Sequence, residues 1–278
     1  MTETRLSPAS GPALPPARRP AQRPRRFKTA RTVTALVLRE MSSTYGRSPG
    51  GYIWALLDPI GGIVMLSVVF SFIIRAPALG TNFPLFYATG FLPFLMYSDL
   101  GAKLMGAIQY SRPLLAYPGV TWVDAVLGRF ILNTLTHLAV FCLVSGGILL
   151  LFRTGAFLDM VAILNALAMA AALGLGIGTL NCFLGEVFPV WRSIWSILNR
   201  PMFIISGVFF LYDAMPPLAR DILWYNPLVH VIGEMRRGFY GTYDAPFVAP
   251  VYVYGFAGVC LVFGMIFLSR YHRDILNT

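Results

Sequence analysis

Ionisable side chains inside long apolar runs are where this chain could do chemistry, because a charge placed in hydrocarbon is costly and is kept for a purpose. Asp99 and Lys103 stand four residues apart in one such run, which puts them on one helix face. They read either as a structural ion pair near the edge of a span or as part of a polar substrate path. Arg200 lies within another run and is followed by Pro201, whose missing N–H frees a backbone carbonyl. Facing a polar path, Arg200 would hold an anionic substrate; facing a neighbouring helix, it would bind carbonyls or a carboxylate. His137 offers a proton relay or a hydrogen-bonded packing residue, and Asp58, just before Pro59, reads as an interfacial residue at a helix bend.

Soluble-enzyme motifs are missing from the sequence. There is no GxxxxGK[ST] phosphate loop, no HExxH and no GxSxG. His137, His230 and His272 form no ligand spacing with one another or with the cysteines. Cys142, Cys182 and Cys260 all fall in apolar runs and read as small buried hydrophobes. The chain therefore carries no resident cofactor or metal on this reading.

The elements that must position these residues follow from composition. Hydrophobic residues make up 56% of the chain and charged residues 12%, about half the ~25% of a soluble domain. Mean hydropathy is +0.66. Six runs approach the roughly 20 apolar residues that a helix needs to cross a bilayer, over about 52–75, 84–107, 125–152, 160–184, 190–212 and 248–269. The fold class expected is an all-α membrane protein with six transmembrane helices. In the fourth run, Ala170, Gly174 and Gly178 place small residues every fourth position, which suits close helix contact.

Net charge is +10, but ten of the 22 Lys and Arg residues lie in residues 1–47. Residues 1–27 combine six prolines with five arginines between Arg18 and Arg26 and have no apolar core. This segment reads as a disordered basic tail held against anionic lipid, with no secretory signal and no nucleic-acid partner. Counting Lys and Arg near the span ends gives sixteen inside against five outside, with Arg200 unassigned, which places both termini in the cytoplasm. Residues 28–47 are amphipathic, with Val33, Leu36, Val37, Met41 and Tyr45 on one face and Arg31, Thr32, Arg39 and Ser43 on the other. They read as an interfacial helix. The stretch 213–247 is apolar yet cut by Pro216, Pro217 and Pro227 into pieces too short to span. It reads as a re-entrant helical hairpin on the outer face, with a compact external cap as the alternative.

Four segments carry a resemblance. LREMSSTYGRSPGGYIWALLDP (38–59), FPLFYATGFLPFLMYSD (83–99), LLAYPGVTWVDAVLGRF (114–130) and NPLVHVIGEMRRGFY (226–240) resemble, in the same order, the ABC type-2 permeases that export polysaccharides. The similarity covers about residues 30–270, and the branch it is most similar to is the capsule exporters of Gram-negative bacteria. The resemblance implies a half-transporter of the inner membrane: two copies of the chain, two separate ATP-binding cassette subunits that hold the ATP, and a lipid-linked, acidic capsular polysaccharide as cargo. It also implies periplasmic and outer-membrane export proteins as further partners. The amphipathic helix and the segment about 109–123 would receive the ATPase, through Arg39, Glu40, Arg112, Tyr117 and Trp122. Arg200, Asp99 and Lys103 would lie on the substrate path. Asn226, Pro227, His230, Glu234 and Arg237 would belong to the re-entrant segment near the exit. The family's pattern has an acidic residue three after the histidine; here Gly233 holds that place and Glu234 comes next. Rival readings are O-antigen, teichoic-acid or small-molecule export within the same family, a membrane transferase using His230 or Asp221, and an ion channel.

Overall fold

The computed structural model describes residues 28–44, 51–115 and 120–277. The tail 1–27, Tyr45 and Tyr117 lie outside the described residues. Among the described residues the chain forms ten α-helices and no strand. In chain order these are α1 (Lys28–Thr44), α2 (Gly51–Ile73), α3 (Phe83–Met105), α4 (Ala107–Leu115) and α5 (Trp122–Leu151). There follow α6 (Met160–Val187), α7 (Trp191–Ile205), α8 (Pro217–Leu223), α9 (Pro227–Phe239) and α10 (Pro250–Asn277).

Local chemistry sets the starts. At α5, Thr121 and Asp124 cap each other: the Asp124 N–H donates to Thr121 Oγ1 at 3.2 Å, and the Thr121 N–H donates to Asp124 Oδ2 at 2.9 Å. At α6, Asp159 Oδ1 accepts from the Val161 and Ala162 N–H groups at 2.9 and 3.2 Å. Each pairing satisfies donors that a helix N-terminus would otherwise leave open in an apolar setting.

The helix α6 is the axis of the bundle and packs on α3, α9 and α10. Its small residues explain how. A Cβ on Gly174 would stand 2.7 Å from Leu100 Cβ, and one on Gly178 would stand 2.8 Å from Leu104 Cβ, so the expected small-residue stripe is the α3 contact. A second contact was not apparent from that stripe. A Cβ on Gly176 would collide with the Ala257 carbonyl oxygen on α10, and Gly264 of α10 returns the close approach against Leu180. Lipid tails are as apolar as leucine, so such backbone proximity, with its dispersion contacts, is what holds helices together in a membrane.

Among the described residues, four helices are individually long and apolar enough to cross a membrane: Ile53–Ile73, Trp122–Leu151, Met160–Val187 and Pro250–Tyr271. The second run, α3, has 23 residues but spends its surface inside the bundle and carries Asp99 and Lys103. The fifth departs from expectation. Helix α7 stops at Ile205, because the Ser206 hydroxyl bonds back to the Met202 carbonyl and Gly207 turns left-handed at φ +86°. Fifteen residues reach about 23 Å at 1.5 Å each, short of the ~30 Å hydrocarbon core.

Two amphipathic segments also refine. Helix α1 packs on α5, with Leu36 Cβ 3.3 Å from where a Cβ on Gly128 would stand. The face it buries ends on Glu40, while Met41, expected on that face, is exposed. The stretch after α7 does split into two pieces, α8 and α9, at Trp224–Asn226. Of these, α9 is enclosed by α3, α6 and α10 and exposes only Arg237 among its residues.

Replacing Gly176 with Val drives a branched side chain into the α10 backbone. We expect it to cost at least about 1–3 kcal/mol, read as a lower thermal midpoint in detergent. Gly258 has open space around its Cα, so Gly258→Ala should stay within about 0.5 kcal/mol of the parent.

Candidate functional site

Three polar groupings interrupt this apolar bundle, one at the end that carries α1 and α4, one along α3 and α7, and one around α9.

At the first, Arg129 of α5 joins four helices. Its Nε donates to Glu40 Oε1 on α1 at 2.9 Å, and its Nη1 donates to the Lys103 carbonyl at the end of α3 at 2.8 Å. Its guanidinium also lies over the Tyr110 ring of α4, 4.3 Å from the centroid. Glu40 and Arg129 are both largely buried, so Glu40 faces α5. Arg39 is exposed, 5.9 Å from the same Tyr110 ring, and Arg112 is exposed on α4. Trp122, half-buried, packs beside Leu104, Ile108 and Val126. A second arginine, Arg192 at the start of α7, donates to Gln109 of α4 at 2.5 Å and to Glu186 of α6 at 2.7 Å.

Along α3, the sequence spacing of Asp99 and Lys103 proves misleading. Asp99 Oδ2 sits 3.0 Å from His137 Nε2 on α5, and no ion pair joins it to Lys103. A helix i,i+4 neighbour competes with whatever the next helix presents, and here the packing of α3 on α5 brings the imidazole closer. His137 is thus a cross-helix partner. One residue earlier, Ser98 Oγ accepts from Asn199 Nδ2 of α7 at 2.6 Å.

Between α3 and α7 opens a cleft of about 420 Å³. Its walls include the rings of Phe94, Trp195 and Phe203, the Asn199 amide and the cations Arg192 and Arg200. Arg200 is exposed, and Asn199 Oδ1 is a buried acceptor without a partner among the described residues. Aromatic faces and an exposed guanidinium are the groups that receive, respectively, the C–H face and an acid group of a sugar.

Around α9, Asn226 caps the helix by accepting the Leu228 N–H at 3.1 Å, and Pro227 follows as its first residue. His230 is 0% exposed. Its Nε2 donates to the Trp224 carbonyl at 2.8 Å, and its Nδ1 accepts the Ala249 N–H at 3.2 Å. Burial holds the imidazole below its usual pKa, so it is neutral at neutral pH with both nitrogens engaged. That engagement leaves it nothing to offer a transferase. Glu234, 1% exposed, accepts from Asn165 of α6 and from Arg237, each at 2.9 Å. Gly233 is a steric requirement, since a Cβ there would stand 2.7 Å from the Phe247 ring, which leaves no room for an acidic side chain.

Sequence reasoning passed over Arg236. It is 2% exposed, donates to the Phe210 and Val208 carbonyls at 2.7 and 3.0 Å, and stacks 4.2 Å over Phe86. Burial lowers its pKa to about 10, still well above neutrality, so a full charge is held by carbonyls and a ring. Its partners are backbone carbonyls and a ring, so the sequence carried no signal for it.

Helices of this length and apolarity, joined by buried polar clamps and lacking a phosphate loop, define a polytopic membrane protein. The chain belongs to the ABC-2 type transporter family, which matches residues 31–240. It is 30% identical over 237 residues to the polysialic acid transport protein KpsM of Escherichia coli, covering 84% of this chain and 91% of that one. It is 25% identical over 246 residues to the capsule polysaccharide export inner-membrane protein CtrC of Neisseria meningitidis serogroup B, covering 88% and 92%. To the capsule polysaccharide export inner-membrane protein BexB of Haemophilus influenzae it is 26% identical over 220 residues, covering 77% and 83%.

Removing one partner of the Glu40–Arg129 pair strands a buried charge. Glu40→Gln should lower stability by about 3 kcal/mol, and the double variant Glu40→Leu/Arg129→Leu should recover part of that loss in thermal unfolding of the purified chain.

Proposed function

We propose that this chain is the permease subunit of an ATP-driven exporter that moves a lipid-linked, acidic capsular polysaccharide across the inner membrane. The observation that carries the reading is similarity, over most of the chain, to relatives whose names state polysialic acid transport and capsule polysaccharide export. The missing phosphate loop supports hydrolysis on a separate partner.

The assembly proposed has two copies of the chain and two ATP-binding cassette subunits, with periplasmic and outer-membrane export proteins receiving the cargo. All six apolar runs lie in the membrane, α3 and α7 completing the set within the assembled pair, and both termini are cytoplasmic. Helix α7 buries none of its residues within the chain, which supports its facing a second copy or a path between copies. Helices α8 and α9 form the re-entrant segment near the exit.

A polymer of charged, hydroxylated rings cannot enter hydrocarbon, because every polar group would lose its water. The α3–α7 cleft supplies replacements, with Arg200 as the cation for acidic sugars and Asp99 and Lys103 on the adjoining helix. ATP-driven closure of the partner subunits would push on α1 through Arg39 and on α4 and the start of α5 through Arg112, Tyr117 and Trp122. Glu40 would pass that push to Arg129.

The test is to delete the gene and find where lipid-linked polymer resides, by fractionation and staining for acidic polysaccharide. Cytoplasmic polymer that returns to the surface with the intact chain supports capsule export. Normal surface polymer would overturn the capsule reading and move small-molecule export or membrane-enzyme chemistry forward. Arg200→Ala should then cut surface polymer about tenfold, since a charge-assisted hydrogen bond contributes about 1.5–3 kcal/mol.

A further inference from the structure

Helix α4 reaches in two directions from adjacent residues. Tyr110 lies under Arg129, which ties it to α1, α3 and α5. Gln109, one position earlier, accepts from Arg192 Nη1 of α7. Arg192 is also a wall of the α3–α7 cleft and holds Glu186 at the end of α6. Gly185 lies beside it, with Arg192 Nε 3.4 Å from where a Cβ would stand. The chain passes from α6 into α7 by a tight turn closed by the Trp191 N–H on the Phe188 carbonyl at 2.9 Å. The Trp191 indole N–H then donates to Asn181 at 3.0 Å.

These contacts give α7 an unusual footing. None of its residues is fully buried: Met202 and Phe203 pack its C-terminal half on the core, and its N-terminal half is placed by side-chain ties, Trp191 to Asn181 and Arg192 to Glu186 and Gln109, with Asn199 to Ser98 between the two. Of these, the Gln109–Arg192 bond reaches α4. It joins a half-exposed arginine to an exposed glutamine, so it contributes little to stability. What it does supply is continuity: while it stays formed, a shift of α4 carries the Arg192 guanidinium with it.

We propose that Gln109 is a positioning residue that carries displacement of α4 into the α3–α7 cleft by drawing on Arg192. An acceptor oxygen at position 109 is what this transmission requires. The inference rests on the reading of α4 as a segment that receives the ATPase. It adds the route by which the cleft learns of nucleotide, through Gln109 to Arg192 and then one to two turns along α7 to Trp195, Asn199 and Arg200.

The test uses the permease–ATPase complex reconstituted in lipid vesicles, with Cys142 and Cys260 replaced by alanine and Ser196→Cys placed in the cleft wall as a thiol reporter. Three quantities are read: ATP hydrolysis, the change in reporter labelling by a charged thiosulfonate on adding nucleotide, and surface polymer in cells. For Gln109→Ala we expect hydrolysis within twofold of the parent, loss of the nucleotide-dependent labelling change, and at least fivefold less surface polymer. Gln109→Glu keeps the acceptor and should restore both labelling change and export. Unchanged labelling and export in Gln109→Ala would overturn the proposal, as would failure of Gln109→Glu to rescue, or hydrolysis lost together with export. A parent chain that recruits no ATPase would instead sink the exporter reading itself, and the two failures are separable because that one appears before any substitution at 109.

Discussion

Everything in this bundle depends on how closely helices can approach α6. Apolar side chains gain nothing by leaving lipid for one another, so association rests on contact density, and contact density rests on missing side chains. Gly174 and Gly178 admit the leucines of α3, while Gly176 admits the backbone of α10 from another side of the helix. Gly264 reciprocates on α10. With α3 and α10 fixed in this way, α9 is enclosed, and its polar groups find their partners inside the block, save Glu234 Oε2 and Arg236 Nε, which have none among the described residues. That is why Arg236 meets two carbonyls and a phenyl ring, and why Glu234 meets Asn165 and Arg237. The glycines come first in this order of causes, and the polar clamps follow from the enclosure they create.

Polar contacts then divide by depth, and the division has mechanical meaning. Buried pairs such as Glu40–Arg129 owe much desolvation, so they are costly to break and hold helices in one register. Half-exposed ties such as Arg192–Glu186 are screened and contribute little to stability, so they can change length or partner during a cycle. The first kind sits within the block that includes α1, α3 and α5. The second kind, with the packing of Phe203 on Phe91 and Phe94, places α7. The two classes of contact thus differ in how much free energy their rearrangement costs.

The sequence displayed the apolar runs, the amphipathic entry helix and the proline-cut stretch before the last helix, because each is a local pattern of side-chain polarity. Where the runs ended was less legible. The fifth run reads as continuous to residue 212, yet Gly207 turns the backbone left-handed, and nothing in hydropathy distinguishes a glycine that turns from one that packs. Partners across helices were hidden for a different reason. Asp99 and Lys103 advertise each other at four residues, whereas His137 lies 38 residues away and becomes a neighbour only when α3 packs on α5. Arg236 was obscured because buried arginine is rare, and its partners are carbonyls, which carry no sequence signature. The absent carboxylate at Gly233, by contrast, has a plain cause in Phe247.

The charge balance of the α3–α7 cleft bears on how a long polymer could pass. Of its two arginines, Arg192 is matched by Glu186, whereas no ion pair within the described residues neutralises Arg200. The cleft thus offers about one net positive charge beside aromatic walls. For a small anion, a single cation in a wide cleft would be a poor site. For a polymer whose charge repeats along its length, it is an advantage, because conduction requires binding favourable enough to admit each unit and weak enough to release it. A second unmatched cation would hold two units at once and raise the barrier to the next step. On the export reading proposed above, Glu186 would then be more than a partner for Arg192: by keeping the cleft's field at the strength of one charge, it would let a repeating anion be held unit by unit.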